Sequence, residues 1–267
     1  MGMLFKVSKT RLRGTTTMTV IANFGSNGRI LNLGHIEGYY YDFVVDWGDG
    51  SATEHYTTYG ANHTYPDENL TYTVTITGVM EILAPTYSYL TGVFITDYYI
   101  GETNIKILRL SGGILSAPST TQDYRVTFTE QLSSGVKSFR LRSDAVANCT
   151  QCNHLKYLNT SNITDMSYMF KYFKGASLDI SNFNTGRATT MNQMFYGCYF
   201  LKNVNVSVFD VSKVTTMVQM FYGNSFMNTS APSSWWDGSN PQITNPTSAF
   251  FNNTNRPNYA SIPAGWK

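Results

Sequence analysis

What most constrains this chain is a pattern that recurs without gaps in its second half. Leu155-Lys-Tyr-Leu-Asn-Thr-Ser-Asn-Ile-Thr-Asp-Met166-Ser-Tyr-Met-Phe170 is followed by Ile180-Ser-Asn-Phe-Asn-Thr-Gly-Arg-Ala-Thr-Thr-Met191-Asn-Gln-Met-Phe195 and by Val206-Ser-Val-Phe-Asp-Val-Ser-Lys-Val-Thr-Thr-Met217-Val-Gln-Met-Phe221. Met166, Met191 and Met217 set intervals of 25 and 26 residues. A unit this short cannot bury an apolar face alone, so successive units must stack on one another. Within each copy, Met-x-x-Met-Phe places apolar side chains at i, i+3 and i+4, the spacing of a short helix. Gly197 and Gly223, two residues after the Phe, suit a left-handed helix end. Leu178-Asp-Ile180 and Val204-Asn-Val206 alternate as short strands. The methionine stripe has the look of a metal or cofactor box, but Met fills irregular gaps between stacked coils, and we read it as core.

Weaker echoes flank the copies. Ile105-Lys-Ile-Leu, Val136-Lys-Ser-Phe and Leu201-Lys-Asn-Val read as strand starts of successive coils, and Cys152-Asn-His-Leu155 repeats as Cys198-Tyr-Phe-Leu201. Ile243-Thr-Asn-Pro246-Thr-Ser-Ala249-Phe250 keeps the register, with Pro in place of the first Met. An atypical last copy near Trp235, Trp236 and Trp266 is what a capping unit requires. Thr160-Ser-Asn-Ile-Thr-Asp-Met166 and Met191-Asn-Gln-Met-Phe-Tyr-Gly-Cys198 resemble the BspA-like leucine-rich repeat family of bacterial surface and phage virion proteins. Phe173 and Asn224 depart from it at the usual Cys position. The resemblance implies a solenoid, a contact surface for proteins or glycans, and no catalytic residues.

The first half has a different rhythm. Met18-Thr-Val-Ile21 and Tyr39-Tyr-Tyr-Asp-Phe-Val-Val45 are strand-like runs. Leu70-Thr-Tyr-Thr-Val-Thr-Ile-Thr-Gly78 alternates with period two, a strand with one buried face. Between them, Asp46-Trp-Gly-Asp-Gly-Ser51 is a tight-turn signal. That turn, His63-Thr-Tyr65 and Thr71-Tyr-Thr-Val-Thr75 resemble, in order, the signature of a PKD-like, immunoglobulin-type β-sandwich. The fold expected is therefore mainly β with short helices: a PKD-like sandwich followed by a BspA-like leucine-rich repeat solenoid. Its divisions are a basic arm at 1–14, the sandwich at 15–79 and the solenoid at 80–267, with regular repeats at 145–226 and a cap at 227–267.

Charge and composition limit function. Charged residues are 13% of the chain and aromatics 15%, which excludes disorder. No apolar run is long enough for a membrane span. The net charge of +2 divides into +4 on residues 1–14, −8 on 15–135 and +6 on 136–267. The later bases are spaced singly, unlike a nucleic-acid track, so nucleic acid is not an expected partner. Lys6, Lys9, Arg11 and Arg13 form a candidate anchoring arm. Three cysteines exclude a disulfide scaffold. Cys149-Thr-Gln-Cys152 reads as a redox pair or half a zinc site, or as two small core fillers. No second pair of ligands completes a zinc site. Asp46 and Asp49 are weak Ca²⁺ candidates, two carboxylates being few for a calcium shell. The competing reading is a turn held by Asp-to-backbone hydrogen bonds with Trp47 beneath. His63 reads as structural. No metal or cofactor is expected.

No hydrolase, zincin, P-loop or dinucleotide motif is present, so no enzyme is expected. Polysaccharide cleavage would need paired carboxylates, and only Asp144, Asp165, Asp179, Asp210 and Asp237 follow residue 135. The expected function is non-enzymatic surface binding or adhesion. The N-terminus lacks a secretory signal, which points to a bacteriophage virion protein (capsid decoration or tail fibre) made in the host cytoplasm. Arm and sandwich would hold other virion proteins, and the solenoid would contact a host-surface protein or glycan. Alternatives are a structural virion subunit bracing its neighbours, and a bacterial cell-surface adhesin with a trimmed signal; a homo-oligomer is compatible with each. Candidate ligand residues are Tyr157, Asp179, Asn203 and Asn205 on the strand side and Tyr168, Tyr172, Tyr196, Tyr199 and Tyr222 beside the helical turns.

Overall fold

The computed structural model describes residues 15–22, 29–34, 36–58, 60–66, 70–85, 93–101, 105–111, 123–129, 135–142 and 148–267. The chain is mainly β. Twelve strands are described: β1 (Thr15–Ala22), β2 (Ile30–Asn32), β3 (Tyr41–Asp46), β4 (Glu54–Tyr56), β5 (Asn62–Thr64), β6 (Thr71–Met80), β7 (Ile82–Leu83), β8 (Val93–Ile100), β9 (Ile107–Ser111), β10 (Asp123–Phe128), β11 (Ser138–Arg142) and β12 (Asn148–Asn153). The basic residues Lys6, Lys9, Arg11 and Arg13 lie outside the described residues.

A seven-stranded sheet runs β12-β10-β8-β1-β6-β3-β4. Its first half follows from alternation. On β6, Tyr72, Val74 and Ile76 are buried while Thr71, Thr73 and Thr77 face solvent. β3 alternates likewise, with Tyr41, Phe43 and Val45 inside. β1 pairs antiparallel with β6, and β6 with β3. Gly78 permits the close β3–β6 approach: its φ is +129°, and a Cβ there would sit 2.4 Å from the Asp42 carbonyl oxygen. The small β2–β5 sheet contributes buried Leu31, and Leu33, Ala61 and Tyr65 beside it are buried too.

The expected division at 79/80 is not a break in hydrogen bonding. β8 adds antiparallel to the other side of β1, and β10 and β12 then follow in parallel. A second sheet, β11-β9-β7, is parallel throughout, with Ile82, Ile107 and Ser138 in register. Each pass of the chain thus gives one strand to each sheet: β8 then β9, β10 then β11. The path continues beyond β12 with sparser pairing. On one side Lys174 N–H donates to Cys149, Lys202 to Ala176 and Asn228 to Lys202. On the other, parallel bridges join Asp165 to Thr190, Thr190 to Thr216 and Thr216 to Asn245.

Three expectations need correction. Leu201-Lys-Asn-Val is not the counterpart of the other two strand starts. Ile105-Lys-Ile-Leu and Val136-Lys-Ser-Phe do pair with each other, but Lys202 bonds to Ala176 on the opposite side of the coil. Leu178-Asp-Ile180 and Val204-Asn-Val206 bury their alternate residues yet are not strands. A single bridge, Ser177 to Asn203, joins the coils there. The Met-x-x-Met-Phe segments are not helices either; the only helical elements among the described residues are four three-residue 3-10 turns. The reason lies in where the amides point. Met166, Tyr168, Phe170 and Tyr172 donate their N–H groups to Thr190, Asn192, Met194 and Tyr196 of the next coil, at 2.8–3.0 Å. A helix would spend the Phe170 and Tyr172 donors within the segment, on carbonyls four residues back.

The core of the stack is a column of like residues. Phe170, Phe195, Phe221 and Phe250 are fully buried, with successive centroids 5.5, 5.1 and 5.3 Å apart and planes within 13° of parallel. Met166, Met191 and Met217 are buried beside them. Phe139 meets Phe170 edge-on at the near end. At the far end Trp266 lies over Phe250 and its carbonyl accepts the Phe250 N–H (2.8 Å), while Trp235 and Trp236 close the flank. Met217 N–H donates to Asn245; the next residue in this column, Pro246, has no N–H to leave unpaired at the end of the ladder.

Candidate contact face

Each turn segment has eight positions: Met166–Phe173, Met191–Cys198, Met217–Asn224 and Pro246–Asn253. The third and seventh are left-handed in all four copies. Tyr168, Gln193, Gln219 and Ser248 have φ of 63°, 53°, 54° and 53°, and Tyr172, Gly197, Gly223 and Asn252 have 61°, 66°, 79° and 58°. This alternation turns the first, fourth, fifth and eighth side chains inward, with only Pro246 among them half-buried, and the third and sixth outward. The outward positions form two columns, Tyr168–Gln193–Gln219–Ser248 and Lys171–Tyr196–Tyr222–Phe251.

The second column is a ladder of rings. Tyr196 stacks on Tyr222 at 5.0 Å and 6°, and Tyr222 on Phe251 at 4.6 Å and 13°. Tyr172 meets Tyr196 edge-on at 5.5 Å. Lys171 begins the ladder, its ammonium 5.3, 5.1 and 4.9 Å from the Tyr168, Tyr172 and Tyr196 ring centres. Its Nζ donates to Gln193 Oε1 (2.7 Å), and Gln193 Nε2 donates in turn to Gln219 Oε1 (2.8 Å). Arg140 lies 5.3 Å from the Tyr168 ring centre. Burial lowers the Lys171 pKa, and burial among neighbouring phenols raises that of Tyr196.

The structure therefore brings Tyr168, Tyr172, Tyr196 and Tyr222 together, with Tyr199 packed beside Gly197 and Gly223. The strand-side candidates stand apart from them. Tyr157 is half-buried with the Lys156 ammonium 5.1 Å from its ring. Asp179 accepts Ser181 N–H and Oγ–H, which hold its carboxyl below the usual range, with the Lys156 charge adding to that. Asn205 caps Ser207 in the same way, and Asn203 forms the bridge to Ser177. The sequence reading missed Lys171, Arg140, Gln193, Gln219 and Phe251. Aligning the third and sixth positions of the copies, rather than choosing tyrosines, would have found all but Arg140.

The remaining candidate residues are engaged in turns and in the core. Asp46 Oδ1 accepts Gly48 N–H, and Asp49 Oδ1 accepts Ser51 N–H and Oγ–H. Asp49 Oδ2 pairs with His63 Nε2 at 2.6 Å, and His63 stacks on buried Trp47 at 4.8 Å. Burial alone would raise the Asp49 carboxyl, but the bonds from Ser51 and His63 outweigh it and hold it at about 2. Among the described residues no three His, Cys, Asp or Glu side chains group as metal ligands. No disulfide joins the cysteines. Cys198 is buried with its thiol donating to the Phe170 carbonyl, and burial pushes its pKa up to about 12. In the stack, Asp210 and Asp237 are engaged by Ser212 and Ser239, and Asp165 accepts the Ser167 N–H. Asp144 lies outside the described residues. No helix among the described residues is long and apolar enough to cross a membrane.

Residues 141–262, somewhat under half of the chain, match the family described as Mycoplasma protein of unknown function, DUF285. The match spans the coil stack and is compatible with the BspA-like resemblance of the repeats. No curated protein and no solved structure matches the chain.

Proposed function

We propose that this chain is a non-enzymatic surface-binding protein: a PKD-like sandwich at 15–79 and a BspA-like leucine-rich repeat solenoid at 80–267 that presents the tyrosine face to a host-surface protein or glycan. One observation carries the reading. The described carboxylates and the thiol of Cys198 in the stack are spent on turns and core, whereas one face exposes rings and amides in ordered columns. Tyr is suited to contact because it offers much area for little lost entropy. The BspA-like resemblance extends to phage virion proteins, and we place the protein on a virion, with a bacterial cell surface as the alternative location.

The test is a glycan array and a host-envelope pull-down with the whole chain, repeated with Tyr168→Ala/Tyr199→Ala. Binding abolished by the double variant and retained in Tyr157→Ala supports the reading. Depolymerisation of a polysaccharide by purified protein overturns it, as does a particle in which this face is buried between subunits.

A further inference from the structure

We infer that the first rung of the tyrosine face, around Lys171, is a subsite for the carboxylate of a uronate-bearing polysaccharide; this rests on the contact reading above and narrows its ligand. Along the ladder, Tyr196, Tyr222 and Phe251 lie face to face, so the ring faces between them, both faces of Tyr222 included, are used on one another. A neutral sugar that binds by laying its C–H face on a ring finds mainly edges there. The Tyr196 and Tyr222 edges carry hydroxyls, and beside them run the Gln193 and Gln219 amides, groups that pair with sugar hydroxyls.

At the near end the chemistry changes. The half-buried Lys171 ammonium has three donors and spends one, on the neutral amide of Gln193. Three tyrosine rings surround it, and among the described residues no carboxylate lies within ion-pairing distance. Arg140 brings a second cation to the same Tyr168 ring, and its nearest acid, Asp165, is 3.8 Å away and already accepts the Ser167 N–H. An incompletely paired ammonium set among rings favours an anion, which supplies the missing acceptor in a charge-assisted bond. The surrounding region has the same bias, since residues 136–267 sum to +6. An acidic peptide shares the charge but would need pockets for side-chain anchors, and the ladder offers hydroxyl and amide edges instead.

The experiment is calorimetric titration of the whole chain with oligogalacturonate, with a neutral maltooligosaccharide of equal length and with polyglutamate, in chelator at low salt. Oligogalacturonate binding is expected, with Lys171→Met weakening it about ten-fold, the loss of one charge-assisted contact. Lys171→Arg keeps the charge and is expected to stay within about three-fold of the parent. Lys213→Met, an exposed base distant in sequence, is expected to change nothing, and all variants to melt with the parent. An equal loss in Lys213→Met means diffuse attraction to a polyanion and overturns the subsite. Equal binding of polyglutamate overturns the glycan. Binding of a neutral glycan or a host protein without oligogalacturonate overturns this inference and leaves the contact function standing; failure of every ligand on array and pull-down removes both.

Discussion

Two glycines at equivalent positions separate backbone strain from crowding. Gly197 and Gly223 share the left-handed conformation, at φ 66° and 79°. A Cβ on Gly197 would fall 2.5 Å from the Tyr172 ring, whereas one on Gly223 would meet Tyr199 at 3.2 Å. Tyr172 cannot simply swing away, because it is held by Lys171 and Tyr196. Left-handed strain costs an alanine about 1–2 kcal/mol at either site, and only Gly197→Ala adds displacement of a ring. Chemical denaturation should therefore rank Gly197→Ala as the more damaging; equal losses would mean that Tyr172 moves freely. Asp49 carries a second residue-scale prediction. Its folded carboxyl, at about 2, lies below its ordinary value of 3.8. A depressed acid stabilises the fold above its unfolded pKa, and that contribution disappears as pH falls through the folded value. Asp49 thus supplies on the order of 2 kcal/mol that is lost between roughly pH 4 and pH 2. In Asp49→Asn the acid limb of stability against pH should flatten across that window, with the neutral-pH stability already reduced.

At the scale of elements, the turn segment shows what was legible in the sequence and what was not. The repeat length, the buried Met and Phe columns and the aromatic cap were all readable, because burial is written directly in apolar spacing. Local conformation was not. Spacing at i, i+3 and i+4 is shared by a helix and by a pair of turns with left-handed third and seventh residues, and nothing in the residue type of Tyr168 or Gln193 announces a positive φ. The choice is made between coils, by amides that donate along the stack. For the same reason the tyrosines could be nominated but not their Lys171 partner, which belongs to the column only once the register is known. Nor could the sequence show that β8 joins β1, since pairing across the 79/80 division has no local signature. The inter-coil ladder has a testable consequence. Deleting residues 192–217 removes one full period and joins Met191 to Val218, so every column closes again. That variant should melt cooperatively at a lower temperature, as loss of one unit and one interface requires. Deleting residues 192–204, half a period, should abolish the cooperative transition; survival of that variant would deny that the ladder fixes the register.

For the whole molecule, the decisive feature is β1. It lies between β6, the last long strand of the antiparallel half, and β8, the first of the parallel series. Its buried residues Met18 and Val20 belong to the same continuous core as Ile95, Tyr98 and Ile100 of β8 and as the stack beyond. Two modules joined by a linker would each keep a complete sheet when separated. Here a cut after residue 79 strips β8 of its antiparallel neighbour, leaving unpaired backbone groups along its edge and apolar side chains open to water. The antiparallel half loses a partner on the other side of β1. Calorimetry on the full chain is therefore expected to show one transition that includes both halves. Residues 80–267 expressed alone should aggregate or melt without cooperativity, and residues 1–79 supplied in trans should restore folding by returning β1 to its place. A fragment 80–267 that folds with the full chain's melting temperature would show the seam to be a contact of convenience. Joint folding instead means that the face around Lys171 is held at a fixed orientation to the antiparallel half.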